Sequence, residues 1–149
     1  MPLKGEYAPG RAKSARRQAE LYEASNGAEA GDIGGHPIVV LTSIGARTGK
    51  LRKTALMRVE REGRYALLAS PDTGPRRPDW YFNVLVNPTV ELQDGPVRLE
   101  YRAREVHDAE RDAWWQLAID AFPPYRRYQA KKPDPIPIVV LEPTGVHEP

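Results

Sequence analysis

Short apolar segments separated by glycine-containing turns occupy the chain from Ile38 onward, and they limit the folds that it can adopt. Asp94-Gly95 lies between two of these segments and is the clearest hairpin dipeptide in the sequence. The segments 51–60 and 64–70 are predicted to form a second hairpin around Gly63. Strands joined by such tight turns run antiparallel, so a mostly antiparallel sheet is predicted. The predicted strands are 37–42, 51–60, 64–70, 90–93, 97–106 and 136–141.

Two helices are predicted between these strands. The first, 78–85, begins with a proline, whose fixed φ suits the first helical turn, and stops before Asn87-Pro88. The second begins with an Asp108 cap and ends at Phe122, because apolar residues recur there at spacings of three and four. Five or six strands with two helices predict an α+β fold, a small barrel with helices at its ends.

Residues 1–35 are predicted to form a flexible N-terminal helix and linker, separate from a folded domain at 36–149. The helix, at 18–24, contains only two large apolar residues, Leu21 and Tyr22, and four glycines follow it before residue 36. Such a segment is typical of a frayed terminus that contributes little to a core. The alternatives are a lid over a ligand, or peripheral contact of the basic helix with the anionic inner face of the cell membrane.

Composition excludes several classes of function. The absence of cysteine excludes disulfides, thiolate catalysis and cysteine-ligated metals. The three histidines lie far apart in the sequence, so no metal site is expected. A net charge of +2 gives little support to a nucleic-acid partner, although the cations are clustered. No apolar run approaches the ~20 residues of a membrane span, and a cytoplasmic protein is therefore expected.

The segment 45–53, called here the cationic loop, contains four cations, two glycines and no acid between two predicted strands. Its glycines allow a tight turn whose N–H groups can face an anion together. Arg47 and Arg52 would add planar donors suited to phosphate or carboxylate. Alternation along the following strand places Arg52 and Thr54 on one face. The alternative is a solvated hairpin loop, and the glycine spacing fits neither a Walker A nor a Rossmann fingerprint.

Four sequence blocks resemble one known family. Residues 42–52, TSIGARTGKLR, are similar to the TTxGRKTGxPR segment of the deazaflavin-dependent nitroreductase family, which comprises F420-dependent quinone and nitro reductases. Ala69-Ser70 followed by PDWYFN at 78–83 resembles that family's AS…NPxWYxN block, and an Asn-Pro pair follows as in the family. FPPYRRYQ at 122–129, followed by IPIV at 136–139, resembles its YPxYxxYQ…IPI ending.

The resemblance implies a split β-barrel of the FMN-binding, flavin-reductase-like type. It implies an F420-dependent oxidoreductase that transfers a hydride from reduced F420 to a quinone-like or nitroaromatic acceptor. Coenzyme F420 has a deazaflavin ring, a ribityl chain, a phosphodiester and a glutamate tail, so it is anionic at one end. The cofactor-binding residues implied by the family pattern are Arg47, Thr48, Gly49, Arg52, Thr54, Ser70, Gly74, Arg76, Arg77, Trp80 and Asn83. Tyr125 is implied as the donor to the acceptor oxygen, with Tyr128 or water as the proton source.

The sequence departs from the family pattern at several positions. Ala46 replaces an arginine, and Phe122 replaces the first of three tyrosines. A segment beginning Pro71-Asp72 replaces a Gly-Gly-Ala backbone site, and Arg77 replaces an asparagine cap. Three alternative functions remain open: a non-catalytic F420 carrier, an FMN-binding flavoprotein, and a nucleic-acid binder. The oligomeric state is left undetermined.

Overall fold

The computed structural model describes residues 3–10, 13–70 and 77–147. A single curled antiparallel sheet with flanking helices makes up these ranges, as expected for an incompletely closed barrel. Among them, no helix is both long and apolar enough to cross a membrane. The elements, in chain order, are α1 (Lys13–Ala24), β1 (Asp32–Ile33), β2 (His36–Ile44), β3 (Leu51–Met57), β4 (Glu60–Arg61), β5 (Arg64–Leu68), α2 (Asp79–Val86), β6 (Thr89–Asp94), β7 (Val97–Glu105), α3 (Asp108–Ala121), α4 (Tyr125–Ala130) and β8 (Ile138–His147).

Seven of the eight strands follow one another across the sheet in the order β1-β2-β6-β7-β8-β5-β4, and β3 pairs with β2. The hairpin predicted at Asp94-Gly95 is confirmed, since β6 and β7 pair there. The turn at Glu62 and Gly63 is also confirmed, and both residues have the positive φ of a two-residue hairpin turn, 55° and 81°.

One strand pairing was predicted wrongly. The segment 51–60 was expected to pair with 64–70, but only the two-residue β4 pairs with β5. β3 instead pairs along its whole length with β2, from Ile44 opposite Leu51 to Ile38 opposite Met57. The reason is that the cationic loop is itself tight enough to act as a hairpin turn, so the strands on its two sides form a continuous ladder.

The helices also differ in detail from the prediction. α2 and α3 lie where they were expected, but the residue preceding α3 at its N-terminus is His107, and Asp108 has a positive φ of 55°. The short helix α4 was not predicted, because six residues after two prolines show no helical periodicity. β8 begins directly after Pro137 and extends to residue 147, well beyond the predicted end at 141.

Each face of the sheet contributes to a different part of the core. Tyr65, Leu67 and Ala69 pack on one face with Trp80 and other residues of α2. Their neighbours in β5 point the opposite way and pack against α3 and α4, as the period of two in a strand requires. The candidate site lies at the first of these faces, beside α2.

The N-terminal helix is packed against the sheet, which corrects the expectation of a frayed terminus. Ala19 and Tyr22 are fully buried against Ile38 and Val40 of β2. The Tyr22 hydroxyl accepts a hydrogen bond of 2.6 Å from the backbone N–H of Gly95. Two buried residues suffice to hold the helix because α1 also contacts β3, where Ala55 and Met57 pack against the same cluster. Its apolar face is covered by the sheet, so peripheral membrane contact gains no support, and the domain division at residue 35 stays a prediction.

The end of α1 touches the β6–β7 hairpin through two glycines. Gly27 has a φ of 81°, and a Cβ atom placed on it would lie 2.4 Å from the Cα atom of Gly95. No side chain fits in that space, so glycine at this position allows the helix end and the hairpin to come together.

Candidate functional site

The cationic loop is closed by its own hydrogen bonds. The Gly45 N–H donates to the carbonyl oxygen of Lys50 at 2.8 Å, and the Gly49 N–H donates to the carbonyl oxygen of Gly45 at 2.9 Å. Gly49 has a φ of 70°, and a Cβ atom on Gly45 would lie 2.9 Å from Thr48 Oγ1. Glycine therefore serves a different purpose at each position, backbone conformation at Gly49 and space at Gly45.

Helix α2 holds this loop from one side. Asn83 Oδ1 accepts a hydrogen bond of 2.9 Å from the backbone N–H of Ala46. One turn further along, Asn87 Nδ2 donates to the carbonyl oxygen of Ile44 at 3.4 Å, a longer and weaker bond. The position of the loop is therefore set by side chains of α2 as well as by its own turn.

A cleft runs between the loop, β3 and the start of α2. Its outer part has a volume of about 530 Å³ and is lined by the loop, including Arg47 and Thr48. Its inner part has a volume of about 330 Å³ and reaches Thr54 and Ser70. The two parts share Arg52 of β3 and two residues of α2, Asp79 and Asn83, and so they adjoin each other.

Seven of the cofactor-binding residues predicted from sequence line this cleft. Arg47, Thr48, Arg52, Thr54, Ser70, Trp80 and Asn83 are brought together there. Arg77 is not among the residues that line it: its guanidinium lies 5.9 Å from the centre of the Tyr81 ring, at a separate pocket beside Glu105. Gly74 and Arg76 lie outside the described residues, as do Pro71 and Asp72.

Two arginines of the cleft have no acidic partner. Within residues 3–10, 13–70 and 77–147, neither Arg47 nor Arg52 forms a salt bridge. The lysines beside them differ, since Lys50 is paired with Glu6 at 3.5 Å and Lys53 is paired with Glu23. Guanidinium groups that lack a protein carboxylate are available to an anionic ligand. The exposed backbone of the loop between them leaves room for such a ligand.

A serine hydroxyl at the inner end also lacks a partner. Ser70 Oγ is buried, and no hydrogen-bond partner exists for it among the described residues. A buried hydroxyl without a partner carries a desolvation cost that a ligand hydrogen bond would remove. The cleft thus offers cations at its outer part and a polar atom beside Trp80 at its inner part. This combination fits a long ligand that is anionic at one end and ring-like at the other.

The two predicted catalytic tyrosines are not brought into this cleft. Tyr125 is buried and Tyr128 half-buried, and both pack with Phe122 on the α3 side of the sheet. The core cluster that contains these tyrosines is nevertheless connected to the inner part of the cleft by two consecutive residues of β3. Leu56 lines the cleft, while the next residue, Met57, packs against the core cluster that includes Phe122 and Tyr125.

The sequence reasoning missed several residues of the cleft. Phe82 lines the outer part, and Leu56, Ala15 and Arg16 line the inner part. Phe82 belongs to the PDWYFN block already assigned to the site, and membership of that block was the signal that could have found it. Arg16 carried no such signal, because its place in the cleft depends on how α1 packs against β3.

Comparison with known proteins agrees with the resemblance found in the sequence. A family model described as F420H(2)-dependent quinone reductase matches residues 14–143. The F420H(2)-dependent quinone reductase Rv1261c of Mycobacterium tuberculosis is 35% identical over 125 residues, covering 81% of this chain and 84% of that relative.

Solved structures give the same picture. The chain is similar to an F420-H2 dependent reductase, FDR-A, with 50% identity and a TM-score of 0.68, covering 71% of this chain and 94% of that one. It is also similar to a domain-swapped dimer with 44% identity and a TM-score of 0.71, covering 85% and 96%. A heme-binding protein from Mycobacterium smegmatis, 16% identical with a TM-score of 0.56, shares the split-barrel fold alone.

Proposed function

The chain belongs to the F420H(2)-dependent quinone reductase family, and we propose that it transfers a hydride from reduced F420 to a quinone-type acceptor. Membership in the family makes it an F420-dependent reductase, with coenzyme F420 as its cofactor. A quinone is the favoured acceptor because the matching family and relatives are named for quinone reduction. Nitroaromatic compounds are a second acceptor class that the resemblance to nitro reductases implies.

The observation that carries this proposal is that Arg47 and Arg52, which line the outer part of the cleft, have no salt bridge among the described residues. Arg47 and Arg52 would bind the phosphodiester and glutamate tail through charge-assisted hydrogen bonds. Thr48 and Thr54 would complete the polar surface around them. Gly49, which does not line the cleft, is proposed as a contact on the family pattern alone. When bound, F420 supplies a hydride from its deazaflavin ring.

The inner part would hold the ring end of the cofactor. Ser70 would donate or accept the hydrogen bond that its hydroxyl lacks, and Trp80 would provide an apolar wall. Asn83 would keep the loop in place and present its remaining amide group to the cleft. Together these side chains orient the ligand and exclude water from the reacting end.

Tyr125 is proposed as the hydrogen-bond donor that stabilises negative charge on the acceptor oxygen, with Tyr128 or water as the proton source. The basis is their match to two of the family's tyrosines. Their cluster adjoins the inner end through Met57 and Leu56. Gly74 and Arg76 are proposed as further cofactor contacts on the same basis, whereas Arg77 lies at the separate pocket beside Glu105.

The cofactor assignment is tested by titrating the purified protein with F420 and, separately, with FMN. The fluorescence of the cofactor ring reports binding in each titration. We expect tight F420 binding and poor FMN binding, because the cleft has more cations than a single phosphate needs. Reduced F420 and a quinone should then give turnover. Equal affinity for FMN would contradict the assignment, and binding without turnover of any acceptor would favour a carrier.

A further inference from the structure

One cation of the cleft comes from the N-terminal helix. Arg16 of α1 lines the inner part together with Arg52, Thr54 and Ser70. It therefore lies on the far side of Arg52 from the loop that carries Arg47. The four sequence blocks that carry the resemblance begin at residue 42, so none of them includes Arg16, although the family match itself begins at residue 14.

The helix that carries Arg16 is held firmly in position. Three residues further along, Ala19 is fully buried in the cluster with Ile38 and Val40. Glu23, on the next turn, pairs with Lys53 of β3, and its carbonyl oxygen accepts a hydrogen bond of 2.9 Å from Arg98 Nη2. Glu20 accepts a hydrogen bond of 2.9 Å from the Tyr7 hydroxyl. These contacts fix the helix on the C-terminal side of Arg16.

Arg16 resembles the two loop arginines in having no salt bridge within the described ranges. Lys53, which also lines the inner part, has its charge compensated by Glu23. Asp79 is the acidic residue of the lining, and it is shared by both parts of the cleft. Among the described residues that line the cleft, the arginines without a salt bridge are therefore Arg47 in the turn before β3, Arg52 in β3 and Arg16 in α1.

We propose that Arg16 is a third binding residue for the anionic portion of the cofactor, its phosphodiester and glutamate tail, and that α1 is a fixed wall of the cofactor cleft. The proposal rests on the F420-dependent function proposed above. Arg52 borders both parts of the cleft, so a guanidinium beside it in the inner part can contact the phosphodiester, which lies between the ring end and the glutamate tail. Charge-assisted contacts of this type are the strong ones in protein sites.

The test compares Arg16→Ala with Arg17→Ala. Arg17 is the next residue of α1, carries the same charge, is exposed and does not appear among the described residues of the cleft wall. Alanine favours helix, so both variants should unfold at the wild-type temperature. The dissociation constant is measured by fluorescence titration with F420 and with the truncated deazaflavin that has the ring and ribityl chain but neither phosphate nor glutamates.

Arg16→Ala should weaken F420 binding by about tenfold or more, while leaving the truncated compound's affinity unchanged. Arg17→Ala should leave both affinities at the wild-type value. An unchanged F420 affinity in Arg16→Ala, or an equal loss for both ligands, overturns the proposal for Arg16. If that happens while Arg47→Ala still weakens binding, the proposed function stands. If the wild type fails to bind F420, the proposed function itself is wrong.

Discussion

The side chain of Asn83 and the backbone of Ala46 are joined by a hydrogen bond of 2.9 Å across 37 positions of the chain. The bond connects the buried face of α2 to the cationic loop, in which residues 46–50 are exposed. The family pattern implies a cofactor contact for Asn83. The geometry adds that this residue fixes the position of the loop whose Arg47 and Arg52 line the cleft.

Asn83→Ala should therefore affect both stability and binding. Loss of the bond to Ala46 is expected to lower the free energy of unfolding by about 1 kcal/mol and to weaken F420 binding, because the loop is no longer held. Urea denaturation and fluorescence titration measure the two effects. Asn87→Ala is the control, since its 3.4 Å bond to the same loop region is weaker and should matter less. Wild-type binding in Asn83→Ala would show that the loop needs no support from α2.

Arg47→Ala and Arg52→Ala should each cost about 1.5–3 kcal/mol of F420 binding, through the loss of a charge-assisted contact. A higher salt concentration should weaken F420 binding by the wild type more than F420 binding by either variant. Arg126→Ala, an exposed substitution on α4, is the matched control and should bind as the wild type does. If neither loop variant changes the dissociation constant, the loop is simply a solvated hairpin turn.

Ser70→Ala separates stability from function. The buried Ser70 hydroxyl has no partner in the described part of the chain, so its removal should leave the free energy of unfolding unchanged or slightly raised. The same substitution should weaken F420 binding or slow turnover, because the ligand loses its hydrogen bond. A matched loss of stability with no change in binding would mean that Ser70 serves the fold and not the cofactor.

Tyr125→Phe tests the catalytic proposal. The ring remains, so F420 affinity should stay within a few-fold of the wild type, and any effect should appear in turnover. A lost transition-state hydrogen bond commonly costs ~2.7–4 kcal/mol, roughly a hundred- to a thousandfold in rate. Single-turnover oxidation of bound reduced F420 by a quinone measures it. A rate within threefold of the wild type would leave Tyr125 as a packing residue of its cluster with Phe122, and Tyr128 would become the candidate.

Tyr22→Ala tests whether the N-terminal helix belongs to the core. Tyr22 is 2% exposed, and truncation of a buried aromatic side chain commonly costs about 3–5 kcal/mol of unfolding free energy. Its neighbour Leu21 is 45% exposed, so Leu21→Ala should change stability by less than about 0.5 kcal/mol. Thermal and urea unfolding compare the two variants. Equal, small effects would return the helix to the status of a frayed terminus.

Local patterns predicted the parts of the fold that depend on neighbouring residues. Alternation placed Arg52 and Thr54 on one strand face, and both line the inner part of the cleft. The dipeptide at Asp94 fixed one hairpin correctly. The docking of α1 was not predictable in this way, because it depends on the Tyr22 hydroxyl reaching a hairpin 73 positions away. Arg16 was missed for the same reason.

The contact between Gly27 and Gly95 gives a way to read related sequences without a structure. A Cβ atom at position 27 would lie within 2.7 Å of three backbone atoms of Gly95, so any larger residue must separate the helix end from the hairpin. That separation would move the wall that carries Arg16. Among relatives, the presence or absence of glycine at this one position should therefore distinguish chains whose cofactor cleft is closed by the N-terminal helix from chains in which it is open.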